Sequence, residues 1–269
     1  MSFTNRDEII ASAKQLIGYS KTAALANVVA TGFHSPFAVA GAPGAGTLAA
    51  GNTANGIVPV DTDAGYPLIN AFGSGAHQGA ITKIDYGSSV ACRLFLYDRL
   101  FVAGAYAFNA NQALGTQPDF SGRVPGTDYK GLEIWVEGVT DTTGNLAVNV
   151  SYENENGSGG GTRTTGATGI GSVVRAGRCF QLPLQAGDRG VSKILNVTGT
   201  VATVGTFNVM VLRPLWSGRV RIANDGDVHD WARTGMPRVY DNSALYMLIA
   251  PDATAIGIPN VNIQIGNTL

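Results

Sequence analysis

Residues 131–153 read GLEIWVEGVTDTTGNLAVNVSYE, and the fold class turns on this stretch. Leu132, Ile134 and Val136 alternate with Glu133, Trp135 and Glu137. After a Thr-Asp-Thr-Thr-Gly connection, Leu146, Val148, Val150 and Tyr152 alternate with Ala147, Asn149, Ser151 and Glu153. A period of two puts alternate side chains on one sheet face. Asp141 and Gly144 suit a turn between the runs. The pattern predicts a β-hairpin with one apolar and one mostly polar face, on which Glu133 and Glu137 are solvated strand residues.

Further strands are expected at 81–86, 89–98, 100–108, 206–212, 218–223, 243–250 and 258–265. Residues 178–184 and 191–197, joined by a Gln-Ala-Gly-Asp-Arg-Gly turn, suggest a second paired unit. Residues 224–227 read as a turn and 229–234 as a single helical turn. Eight or more strands separated by turns predict a mainly β protein, an antiparallel β-sandwich or jelly roll. Residues 4–17 predict an N-terminal helix capped by Thr4, with Ile9, Ile10, Ala13, Leu16 and Ile17 on one stripe and Gly18 as its stop. Residues 19–60 have few charges and many small residues, with Phe33 and Phe37 as isolated anchors, and predict an extended arm lying along another surface, with a mobile linker as the alternative. The expected division is therefore a helix and arm over 1–60 and a β domain over 61–269. A chain lacking the first 60 residues should still fold.

The 269 residues are 45% hydrophobic but only 14% charged, and 36 are glycine. A soluble domain has about 25% charged residues, so this composition suits either a subunit covered by neighbours or a glycine-rich β protein with many turns. The net charge of −1 argues against nucleic-acid binding through a general positive field. No run is apolar enough for a membrane helix. Cys92 and Cys179 lie in strand-like runs and are expected to be buried free thiols.

The sequence carries few signs of chemistry. Lys21-Thr22 lacks the glycine of a phosphate loop, and the glycines at 166, 169 and 171 are in the wrong order for a dinucleotide fingerprint. Asp225, Asp227, His229 and Asp230 could offer oxygen ligands to calcium, but the rest of a calcium loop is missing, and a turn followed by a helix cap explains the same acids. None of His34, His77 and His229 sits in a zinc or nucleophile motif. Arg213, Arg219 and Arg221 with Trp216 form a small basic-aromatic patch, for which pairing with acids or a partner subunit is the expectation. No catalytic residue, metal or cofactor is expected.

The runs SSVACRLFLYDRLFVAGAYAFNANQAL, DYKGLEIWVEG, GRCFQLPLQAGDRG and GTFNVMVLRPLWSGRVRIANDGD resemble proteins encoded among the virion structural genes of tailed bacteriophages. The resemblance covers roughly residues 79–250 and carries no catalytic residues with it. It implies a head or tail protein, foremost a capsid decoration (cement) protein on the virion surface, made in the host bacterial cytoplasm. Its partners would be the major capsid protein and itself, as a homodimer or homotrimer, with no nucleic acid and no membrane. Ile9, Ile10, Leu16, Ile17, Phe33 and Phe37 are then the candidate interface residues. Two other readings stand beside it: a tail, neck or head-fibre component that binds host-surface glycans through Trp135, Trp216 and Tyr129, and an enzyme using Glu133 and Glu137.

Overall fold

A computed structural model of the chain describes residues 5–12, 14–24, 28–73, 78–144, 146–166, 168–170, 174–199, 204–254 and 257–268. The expectations for Thr4, Ala13 and His77 lie outside the described residues. The first 60 residues supply helix α1 (Arg6–Ala11) and strands β1 (Lys14–Lys21), β2 (Phe33–His34), β3 (Gly41–Ala42) and β4 (Asn52–Ile57). Next come β5 (Gln78–Ser88), β6 (Cys92–Ala107), β7 (Asn111–Ala113), β8 (Glu133–Gly138) and β9 (Leu146–Asn154). β10 (Thr162–Thr164), β11 (Thr168–Ile170), β12 (Arg178–Leu182), β13 (Val191–Gly199) and β14 (Thr206–Val220) follow. The chain closes with β15 (Asp225–His229), helix α2 (Trp231–Thr234), β16 (Arg238–Val239), β17 (Leu245–Pro251) and β18 (Pro259–Thr268).

The protein is mainly β and its strand pairs are antiparallel, as the alternation predicts. The strands form three layers. In the middle, β14, β8, β12, β2, β17 and β6 pair in that order, and β6 pairs again with β14, closing a six-strand barrel; β4 pairs with β6 at Val102 and Gly104, beyond the stretch that β17 occupies. On one flank lies a sheet ordered β15-β5-β18-β1-β3, with β16 on β5. On the other lies β10-β9-β13-β7, with β11 on β9. Each layer boundary is an apolar core. Leu245, Met247 and Ile249 of β17 face the first flanking sheet, with Ile84 and Ile263. Ile134 and Val136 of β8 face the second, with Val148, Val150 and Val197. The intervening residues Trp135, Met210, Tyr246 and Leu248 fill the barrel. Period two thus serves two cores at once, which is why these strands carry apolar residues at almost every position.

The expected hairpin over 131–153 does not form. β8 pairs with β12 and β14 in the barrel, while β9 pairs with β13, β10 and β11 in the flanking sheet. The connection is an arch between layers, held by Thr142, whose hydroxyl accepts from Val174 N–H at 2.8 Å and donates to the Gly144 carbonyl at 3.0 Å. The second expected pairing fails in the same way: β12 belongs to the barrel and β13 to the flanking sheet. The strands expected at 89–98 and 100–108 are one, β6, paired along its length with β14.

The N-terminal helix is shorter than expected. Asn5 caps it by accepting from Glu8 N–H, and it ends at Ser12. Residues 14–21 are a strand instead, because β1 pairs with β18 from Lys14 to Ser20 and buries Ile17, Tyr19 and Lys21 on one side. Ile17 fits both periods. A lone short helix is marginal, and the ladder beside β18 wins. Nor is there a detached arm: β1 and β3 complete one flanking sheet, β2 closes the barrel, and β4 pairs with β6. Removing residues 1–60 would open the barrel, so the expectation that the truncated chain folds is withdrawn. Asp225–His229, expected to hold a turn and the start of a helix, is strand β15. Helix α2 follows as a single turn capped by Asp230. Both cysteines are buried and free. Among the described residues no helix is long and apolar enough to cross a membrane.

Candidate functional site: an arginine cleft beside a sealed barrel

Six residues were expected at an interface, and the structure separates them. Ile9, Ile17 and Phe37 are buried. Phe37 packs on Tyr66 and Tyr246, with ring centroids 4.9 and 5.8 Å away. Phe33 lies against Trp135 and Phe95. The two phenylalanines are therefore anchors for the chain's own barrel. Ile10 and Leu16 stay exposed, at 60% and 71%. Of the aromatics expected to line a sugar site, Trp135 and Trp216 are buried and Tyr129 is half-buried.

The barrel encloses charged groups that the sequence reading placed in solvent. Glu137 is fully buried. Its carboxylate accepts from Tyr246 Oη at 2.6 Å, Arg99 Nη2 at 3.1 Å and Asn208 Nδ2 at 3.2 Å. Arg99 also donates to Tyr66 Oη at 3.2 Å, and its guanidinium stacks over Tyr246 and Phe37. A second buried cluster, on the barrel's outer face opposite Leu245, surrounds Asp98, which accepts from Arg213 Nη2 at 3.0 Å, Ser243 Oγ at 2.8 Å and Ala244 N at 3.1 Å. Arg123 lies 3.5 Å from the same carboxylate and donates to the Arg99 carbonyl at 2.8 Å, linking the two clusters. Such groups persist in a core only because they are paired and hydrogen-bonded. Glu133 accepts from Trp135 Nε1 at 2.7 Å, while burial pushes its carboxyl above the usual range. Glu137 meets no solvent, so the two glutamates do not make an open catalytic pair.

An open site lies where β6, β14, β5 and β15 meet. It is a cleft of about 400 Å³ lined by Arg93, Arg219, Arg221 and Arg233 above Tyr86, Phe95 and His229. Arg93 and Arg219 stand directly opposite each other in the β6–β14 register. Gly218 forms part of the floor: a Cβ there would sit 2.4 Å from the Trp216 ring and 2.7 Å from Tyr86. Trp216 Nε1 donates to His229 Nδ1 at 2.9 Å, and His229 Nε2 lies 3.1 Å from Tyr86 Oη. Indole nitrogen is only a donor. His229 Nδ1 is therefore the acceptor, and the neutral ring carries its proton on Nε2. Burial, with Arg233 nearby, holds the ring's pKa below its ordinary value and favours that form. Asp227 binds Arg233 through both oxygens, at 3.2 and 2.8 Å, and Asp252 binds Arg219 at 3.2 Å.

Of the basic patch suggested by sequence, Arg219 and Arg221 reach the cleft, Trp216 supports its floor, and Arg213 turns inward to Asp98. The acids of 225–230 are used locally: Asp227 pairs with Arg233, and Asp230 caps α2. No group of three or more metal-ligating side chains occurs among the described residues. Sequence reasoning missed Arg93, Tyr86 and Arg233 because they come from other elements, β6, β5 and α2; the Arg219-Val-Arg221 spacing was the local hint.

No protein-family profile matches the chain, and no curated protein matches it either. A chain from the structure of the infectious bursal disease virus Gx strain aligns over 94% of this chain and 80% of its own, at 9% identity and a TM-score of 0.15. A superposition that poor carries no argument about fold or function.

Proposed function

We propose that this chain is a non-enzymatic virion subunit, a capsid decoration protein of a tailed bacteriophage that clamps neighbouring shell subunits by protein–protein contact. The reading rests on the sequence resemblance, and one observation supports it: the outer faces of both flanking sheets are poor in net charge and rich in small, amide and hydroxyl side chains. Leu16, Gly18 and Ser20 of β1 lie in register with Gln264, Asn262 and Asn260 of β18, and beyond these come Lys83, Asp85 and Gly87 of β5. On the opposite flank Asn196 donates to Asn111 Oδ1 at 2.9 Å and to Thr198 Oγ1 at 2.8 Å. Lys193 and Glu153 stand opposite each other and offset one another there. Such faces can be covered without stranding a charge. Like copies would meet around a closed axis, as a dimer or trimer, with Ile10 and Leu16 as the exposed apolar contacts.

Density-gradient analysis of the protein mixed with mature undecorated shells tests this. Co-migration at a fixed high ratio, weakened by Leu16→Asp with the melting temperature unchanged, is the expected result. Failure of the folded protein to bind any shell would remove the reading. The arginine cleft favours the second reading, a tail, neck or head-fibre component that binds host-surface glycans, and an array rich in acidic glycans would then be the next test.

A further inference from the structure

The juxtaposition of Arg93 and Arg219 is the feature of this surface that the fold alone leaves unexplained. Like charges directly opposite across an antiparallel pair repel. Here the repulsion is compounded by Arg221 and Arg233 in the same cleft. Asp227 neutralises Arg233 and Asp252 neutralises Arg219. Among the described residues, Arg93 and Arg221 have no carboxylate partner. Four arginines against two aspartates leave a surplus of two positive charges in a concave site.

The remaining donors are arranged to match. The Trp216-to-His229 bond fixes the ring proton on Nε2, which faces Tyr86 Oη. With that oxygen accepting, the Tyr86 hydroxyl hydrogen is left to donate toward the cleft that Tyr86 lines. Ser217 adds a hydroxyl to the wall, and the bare Cα of Gly218 keeps the floor open.

We propose that this cleft binds a compact dianionic oxyanion, a phosphate or sulfate group, held between Arg93 and Arg221. Planar guanidinium forks pair with such oxygens through two parallel N–H bonds, and a dianion matches the surplus charge. The site stands apart from the capsid reading and holds whether or not the protein decorates a shell. The same group could arrive as a free ion or on a small phosphorylated molecule.

Calorimetric titration of the full chain at low ionic strength tests the assignment. The probes are inorganic phosphate, sulfate, glucose 6-phosphate and acetate. Phosphate and sulfate should each bind saturably with a Kd of about 1 mM or tighter. Acetate should be weaker by about tenfold or more, since it offers one charge and fewer acceptors. Tighter binding of glucose 6-phosphate than of phosphate identifies a phosphorylated small molecule; equal binding identifies the free ion. The double variant Arg93→Gln/Arg221→Gln should lose binding by about a hundredfold, at about tenfold for each charge-assisted contact. Both positions are exposed, so the variant should fold. Its melting temperature without ligand should equal or exceed that of the native protein, because a repulsion has gone, and phosphate should no longer raise it. No saturable binding of either dianion, acetate binding as tightly as phosphate, or undiminished binding by the double variant would overturn the assignment.

Discussion

The barrel interior and the arginine cleft are built from the same kinds of side chain and work in opposite ways. In the core each buried carboxylate is surrounded by donors: Glu137, inside the barrel, by Arg99, Asn208 and Tyr246, and Asp98, on the barrel's outer face, by Arg213, Ser243 and the Ala244 amide. In the cleft, arginines outnumber acids and two have no such partner among the described residues. Desolvation makes the first arrangement obligatory, because an unpaired charge in a core is too costly to keep. Solvent screening tolerates the second, and so leaves the cleft open to a mobile anion. Burial, more than residue type, separates scaffold from candidate site.

The strongest way to break this contrast is to unpair the barrel. Glu137→Ala leaves Arg99 charged and enclosed, and should cost about 3–5 kcal/mol in denaturant unfolding. Replacing both partners, as Arg99→Met with Glu137→Leu, should recover most of that loss. If the single variant were nearly neutral, the barrel would not be sealed as described.

Acid gives the next largest effect. His34, buried where β2 joins β12 and β17, accepts from Val29 N–H at 3.1 Å, and burial lowers its pKa to about 4 from an ordinary 6.5. The unfolded chain takes up this proton near pH 6.5 and the folded ring only near pH 4. The stability that depends on neutral His34 is therefore complete above the first value and is lost as pH falls through the second, an effect of about 3 kcal/mol. His34→Gln should flatten that part of the difference profile in pH-dependent chemical melts. A native profile that is flat between the two values would show that the barrel seam is open to water.

Filling the cleft floor should cost less. Gly218→Ala drives a methyl group against Trp216 and Tyr86 and should destabilise by about 1–3 kcal/mol. Tryptophan fluorescence should shift as the bond to His229 is displaced. The smallest effect belongs to the rim, where Asp252→Asn removes the exposed partner of Arg219. It should change stability by under about 1 kcal/mol while tightening phosphate binding, because one competing carboxylate is gone. A loss like that of Glu137→Ala would place Arg219 in the scaffold instead of the site.

Much of the local structure was legible. Alternation placed most of the long strands, and Asp230 was readable as a helix cap. The buried thiols followed from the apolar runs around Cys92 and Cys179. What misled was the polar half of the alternation. Glu133, Trp135 and Glu137 look like a solvated face, yet they point into a barrel whose opposing donors lie far along the chain: Tyr246 is 109 residues from Glu137. Residues 14–17 fit a helical stripe and a strand equally, and only the presence of β18 decides between them. The cleft was half visible, as Arg219 and Arg221 with Trp216, while its other half comes from β5, β6 and α2.

The sequence by itself determined that the chain is β, antiparallel and poor in charge, because alternation and turn chemistry depend on adjacent residues. Tertiary structure alone decided which strands pair, that consecutive strands arch between layers, and that one set of arginines is sealed while another faces water. The physical reason is range. Backbone preference is set within a few residues, whereas pairing partners, desolvation and surplus charge exist only once groups distant in the chain have been brought together.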